Sequence, residues 1–148
     1  EKLIRQRQDT RGAHVWHTLG HATALAHLVA QFELTDFAAD LIAELEPFTG
    51  CIGVIGQLGS VGPVDLALAR LHMLLGDTAA ATEAVAVAAE VAERNGGQPT
   101  VLRCLLLQWQ LRPPAERHLD ELDDIGAWAA EFGMAGLLED VRTVREQA

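Results

Sequence analysis

His14, His17 and His21 stand three and four residues apart. That spacing puts three imidazoles on one face of a helix. Three neutral imidazoles can hold a zinc ion and leave a fourth position open. The stripe lacks the glutamate of H-E-x-x-H, and no acidic neighbour in sequence orients an imidazole. Three ligands from one straight helix also fit a tetrahedron poorly. The face therefore reads first as a polar stripe turned to solvent or to a partner. A metal-binding or enzymatic domain built on His14, His17 and His21 is the alternative. His27 lies elsewhere on the same helix, and His72 and His118 read as surface residues.

Leu66, Arg70 and Met73 recur at four and three on a later helix, so they share a face. A guanidinium among apolar side chains suits a binding surface, with apolar area for affinity and a polar group for orientation. The bland reading of Arg70 is a surface arginine paired with Asp65 or Asp77. Glu116, Asp120, Glu121, Asp123 and Asp124 crowd the start of another helix, where the macrodipole and water account for acids. The glycines at 50, 53, 56, 59 and 62 carry no Lys and lack GxGxxG spacing, so a phosphate loop is a weak reading. Ser60 is the chain's one serine and has no base beside it in sequence. No cofactor is implied.

The elements that must position these residues are helical. Hydrophobic residues make up 49% and charged residues 22% of 148 residues, dominated by alanine and leucine. That balance is globular and favours helix over sheet. Residues 1–12 read as a polar lead-in or linker, and 13–148 as a single domain. Val15, Leu19, Ala22, Ala26 and Val29 predict a helix over 13–32. Further helices are predicted over 37–45 (capped by Thr35 or Asp36), 63–75, 79–94, 99–111, 115–132 and 135–146. Pro47, Gly76, Asn95-Gly96-Gly97, Pro113-Pro114 and Gly133 are the breaks. The apolar, glycine-rich run 49–62 reads as a connection, because a lone strand has no partner. Trp16, Trp109 and Trp128 are expected in the core or between repeats. Cys51 and Cys104 are expected to pack as small hydrophobes.

A net charge of −10 disfavours direct binding to nucleic acid or anionic lipid. Two cysteines do not make a secreted disulfide scaffold, and no secretory signal precedes the first helix, so the reading is cytoplasmic. The uncharged stretch from Gly12 to Phe32 is broken by four histidines and is not read as a membrane span. A start at Glu1 without Met suggests a piece of a longer protein.

Short connections between helices predict antiparallel hairpins, and hairpins in series predict a solenoid. Trp16-x2-Leu19-Gly20-x2-Thr23 matches the opening of the tetratricopeptide pattern, with Thr23 where Tyr is usual. Residues 62–95 carry a second partial copy, with Ala81, Val85 and Ala88 at the small, large and small positions. The fold expected is an all-α, tetratricopeptide-like solenoid of about three antiparallel hairpins plus a terminal helix.

Leu45-Glu46-Pro47-Phe48, Gly62-Pro63-Val64, Leu68-Ala69-Arg70-Leu71, Leu75-Gly76-Asp77 and Phe132-Gly133-Met134 occur in that order. The series resembles the C-terminal helical-repeat region of actinobacterial signalling ATPases, including LuxR-type regulators and ATPase-coupled nucleotidyl cyclases. Trp109, the Pro113-Pro114 turn and Gly126 depart from that pattern. The resemblance implies a non-enzymatic interaction or effector-sensing module inside a larger ATPase-type regulator. It also turns His14, His17 and His21 toward a concave groove, beside Leu66, Arg70 and Met73. A protein partner or small effector is expected there, and self-association through this spacer is left open.

Overall fold

The computed structural model describes residues 18–56 and 59–148. The expectations resting on residues 1–17, including His14, Trp16 and His17, lie outside the described residues. The described chain is mostly helical, with one small sheet. Its α-helices are α1 (Thr18–Gln31), α2 (Ala38–Leu45), α3 (Val64–Leu74), α4 (Thr78–Arg94), α5 (Gln98–Leu111), α6 (Leu119–Glu131) and α7 (Ala135–Gln147). Strands β1 (Ile52–Ile55) and β2 (Gly59–Pro63) lie between α2 and α3.

The helix ends follow local chemistry. Asp77 caps α4 by accepting from the Ala80 N–H at 3.0 Å. Gly76, Gly96 and Gly133 sit at positive φ just past α3, α4 and α6. After each of these, the next amide closes back onto the preceding helix, which is the Schellman arrangement. Two helix starts differ from expectation. Thr35–Phe37 is a 3-10 turn, and neither Thr35 nor Asp36 caps α2 through its side chain. Pro114–Glu116 is another 3-10 turn, and Arg117 and His118 are extended, so α6 begins only at Leu119. Pro113 and Pro114 hold that segment out of the helix.

Within the run expected as a plain connection, Ile52–Ile55 and Gly59–Pro63 form two paired strands. The run supplies its own partner: β1 pairs antiparallel with β2, and Gly56 leaves β1 at φ 60°. The hairpin then lies on α1, where Gly20 and Thr23 leave room. A Cβ built on Gly20 would stand 2.1 Å from the Val54 carbonyl oxygen, and one on Gly53 would stand 2.7 Å from Thr23 Oγ1. Thr23 is fully buried and donates its hydroxyl to the Leu19 carbonyl at 2.7 Å, which spends its polarity inside the helix. Thr23 thus lies directly beneath Gly53 of β1.

Apolar packing runs through the chain in three overlapping clusters. Val29, Leu41, Leu45 and Leu71 join α1, α2 and α3. Leu66, Val85 and Leu107 join α3, α4 and α5. Leu102, Trp109, Leu122 and Val141 join α5, α6 and α7. Trp109 is buried as expected, with its indole N–H donating to the His118 carbonyl at 2.9 Å and the Arg117 guanidinium 5.5 Å above its ring. Trp128 is not in the core. It is 48% exposed, because α6 turns Leu122, Ile125 and Ala129 inward instead. Cys51 is exposed beside β1, whereas Cys104 is buried.

Ala69 and Ala88 are fully buried where α3, α4 and α5 meet, and Ala81 is fully buried on α4. Ala81→Leu adds three heavy atoms to a site with no open space and is expected to cost about 2 kcal/mol. A thermal melt unchanged from wild type would show that α4 does not depend on close approach at this residue.

Candidate functional site

α1, α3, α5 and α7 open onto one cleft of about 470 Å³. α3 contributes Arg70, Met73 and Leu74; α5 contributes Arg103, Leu106, Leu107 and Gln110; α7 contributes Leu137, Asp140 and Thr143. The end of α1 and the residue after its turn add Ala30, Gln31 and Glu33. The spacings explain the convergence. Arg70 and Met73 lie one turn apart on α3, and Arg103, Leu106, Leu107 and Gln110 form one face of α5.

Of the residues expected in a groove, the structure brings Arg70 and Met73 to the cleft. Leu66 is not there. It is 2% exposed and packs with Ala69, Val85 and Leu107 in the core, one turn below Arg70. His21 is exposed on α1 and does not line the cleft. Arg70 pairs with neither Asp65 nor Asp77. Asp65 is buried and accepts the Gly50 N–H at 2.8 Å, which ties the approach to β1 onto α3. Burial pushes the Asp65 carboxyl above its usual range, opposed by backbone hydrogen bonds from Gly50 and from its own amide. Asp77 is occupied as the cap of α4.

Sequence reading missed Arg103, Glu33, Asp140 and His27. The i, i+3, i+4, i+7 face of α5 was a legible signal for Arg103. Nothing local marks Asp140 or Glu33, which reach the cleft through the packing of α7 and the turn after α1. Glu33 is the one non-glycine at positive φ among the described residues, at 52°. It closes α1 with the same bonds that glycine closes elsewhere, Glu33 N–H to the Ala30 carbonyl and Leu34 N–H to the Val29 carbonyl. Side chains in that conformation cost about 1 kcal/mol.

Electrostatics at the cleft are set by the two arginines. Burial lowers the His27 pKa to about 4, with the positive charges of Arg70 and Arg103 adding to the shift. Its Nδ1 is buried with no hydrogen-bond partner among the described residues. Burial also pushes the Cys104 thiol up to about 11, against the pull of the same two guanidiniums. Arg70 holds its own proton less tightly than usual because of burial, with the nearby Asp140 charge opposing that shift.

Two acids of the crowded stretch in α6 have partners from other elements. Glu121 pairs with Arg112 and Asp123 with Arg145. Among the described residues no three His, Cys, Asp or Glu side chains converge as a metal site. No helix among them is long and apolar enough to cross a membrane.

No family model, no curated protein and no solved structure matches this chain.

Proposed function

We propose that this chain is a non-enzymatic helical-repeat module that binds a partner or small effector in the cleft between α1, α3, α5 and α7. The observation that carries the reading is the alternation. Every second helix lines the cleft, and α2, α4 and α6 contribute nothing to it. Stacked hairpins of a tetratricopeptide-like solenoid have this property, since the first helix of each faces one side. The three-residue connection at 75–77 and the short connections at 95–97 and 132–134 fit the same reading. The cleft also falls within the size range of small-molecule sites and mixes leucines with a few polar groups.

Two groups near the cleft have the chemistry for catalysis, and burial weakens both. A thiol pushed up to about 11 is a poor nucleophile at neutral pH. An imidazole lowered to about 4 is a weak base. The place of the module inside a larger cytoplasmic ATPase-type regulator rests on the resemblance of its motif residues to those proteins.

The test is a two-dimensional NMR screen of the purified chain against a mixed pool of small metabolites and short peptides. Binding is expected to perturb amides at Arg70, Met73, Leu106 and Leu107, and to be lost in the double variant Arg70→Ala, Met73→Ala. Glu83→Ala, an exposed change on α4 outside the cleft, should leave it intact. Perturbations that gather away from these four residues would remove the cleft as the binding site.

A further inference from the structure

The chain carries a net charge of −10, yet two guanidiniums face the same cleft with no hydrogen bond or ion pair among the described residues. Every other described arginine is engaged. Arg112, Arg142 and Arg145 pair with Glu121, Glu139 and Asp123. Arg94 donates to the Glu90 carbonyl, and Arg117 donates to the carbonyls of Arg112 and Gln110. Arg70 and Arg103 alone make no hydrogen bond or ion pair among the described residues. Acids do not lack in their surroundings. Asp140 and Glu33 line the same cleft; Asp140 acts on Arg70 through its charge, but neither acid forms an ion pair with either arginine. In a chain with 21 acids and 11 bases, two arginines that line one cleft beside leucines, with no hydrogen bond or ion pair among the described residues, suit an anionic ligand.

The geometry points to a ligand class: a small organic anion with one charged head, a carboxylate or a phosphate ester, held by Arg70 and Arg103 while its apolar body lies on Leu106 and Leu107. Guanidinium forks suit both heads, because each presents parallel N–H donors to two oxygens. The cleft volume of about 470 Å³ suits a molecule and not a chain segment. Asp140 and Glu33 line the same cleft, so a ligand with several anionic groups is disfavoured there. The strained backbone at Glu33 fits the same account, since the three glycine-closed helix ends do without a carboxylate. This inference rests on the reading of the cleft as a binding site and names what that site selects.

The experiment uses four probes that share one tail: hexanoate, hexyl phosphate, hexylamine and hexanol. Each is titrated into the purified chain by calorimetry and followed by thermal shift. At least one of the two anions is expected to bind in the millimolar range or tighter and to raise the melting temperature. The tighter of the two identifies the head group as carboxylate or phosphate ester. Hexylamine and hexanol are expected to bind at least tenfold more weakly. R70Q and R103Q are each expected to weaken anion binding about tenfold or more, the worth of one charge-assisted bond. R94Q, on the exposed side of α4, should bind as wild type does. Loss of binding in R70Q will not reflect unfolding, because removing an unpaired, half-buried charge should leave its melting temperature equal to or above that of wild type.

Binding of hexylamine or hexanol as tight as the anions would overturn the proposal. So would undiminished anion binding by both R70Q and R103Q, or no anion binding up to millimolar concentration. If the anions fail while neutral or cationic compounds still perturb Arg70, Met73, Leu106 and Leu107 in the NMR screen, the binding reading stands and the ligand class falls. If nothing perturbs those residues, both fall.

Discussion

Gly20→Ala is expected to destabilise the protein by about 2 kcal/mol, although alanine is the better helix former. Helix propensity alone predicts a gain of about 1 kcal/mol for this change in the interior of a helix. The close approach of the hairpin reverses the sign. A Cβ at Gly20 would stand 2.1 Å from the Val54 carbonyl oxygen, a backbone atom that cannot turn aside, and 3.0 Å from Ile55. The hairpin must lift from α1, and Thr23, now packed beneath Gly53, then opens to water. Gly20→Val should cost about 3 kcal/mol for the same reason. Gly126→Ala is the contrast. Gly126 lies mid-helix in α6, and its Cβ would meet the Val141 side chain at an ordinary 3.5 Å. That change should stabilise by about 0.5–1 kcal/mol. Urea melts of the three variants read the signs, and hydrogen exchange at Gly53 and Val54 reads the hairpin. A stabilised Gly20→Ala variant with protected hairpin amides would mean that β1 does not press on α1.

Stability is expected to fall as the pH drops from about 6.5 toward 4, and His27 is the residue responsible. In the unfolded chain an imidazole takes its proton near its usual 6.5; in the folded chain burial, Arg70 and Arg103 hold that step down to about 4. Between these values the unfolded state binds the extra proton and the folded state does not. The contribution is fully present above 6.5, is lost as the pH falls through the window, and is on the order of 3 kcal/mol in all. His27→Leu removes the proton site and the unpartnered Nδ1 together. It should leave stability at pH 8 equal or higher and flatten the limb between pH 6.5 and 4. Asp65 works in the opposite direction. Its folded carboxyl is raised, so its ionisation costs stability as the pH rises past the ordinary carboxylate range, and it cannot mimic the loss on acidification. Denaturant midpoints of the two proteins at pH 8, 6, 5 and 4 decide the matter. Parallel curves would clear His27 of the effect.

Helix locations were legible from the chain because their signals are local. Either Asp77 or Thr78 stands where a cap for α4 is expected, and Asp77 takes the role; Gly76 and Gly133 close α3 and α6 as their spacing predicts. The face of α3 that carries Arg70 and Met73 was legible too, since periodicity puts them on one side. Leu66 was misjudged within the same stripe. A face defined by angle does not say how deep each turn sits, and the turn carrying Leu66 lies under α4 and α5 while the turn carrying Met73 does not.

The amino-acid sequence alone determined a mostly helical chain, the ends of most of its helices, the burial of Trp109 and the acidity that sets Arg70 apart. Tertiary structure decided the rest. It paired residues 52–55 with 59–63, because the strands need each other and a bare patch of α1 that only folding brings beneath them. It left Trp128 outside, because α6 had three other residues to bury. It joined Arg70 to Arg103, 33 positions away on α5, and placed Glu33 and Asp140 around them. Caps, breaks and periodicity act over one or two turns and can be read along the chain. A cleft is a coincidence of side chains from four helices, and its charges become a site only when packing holds them together without letting them pair.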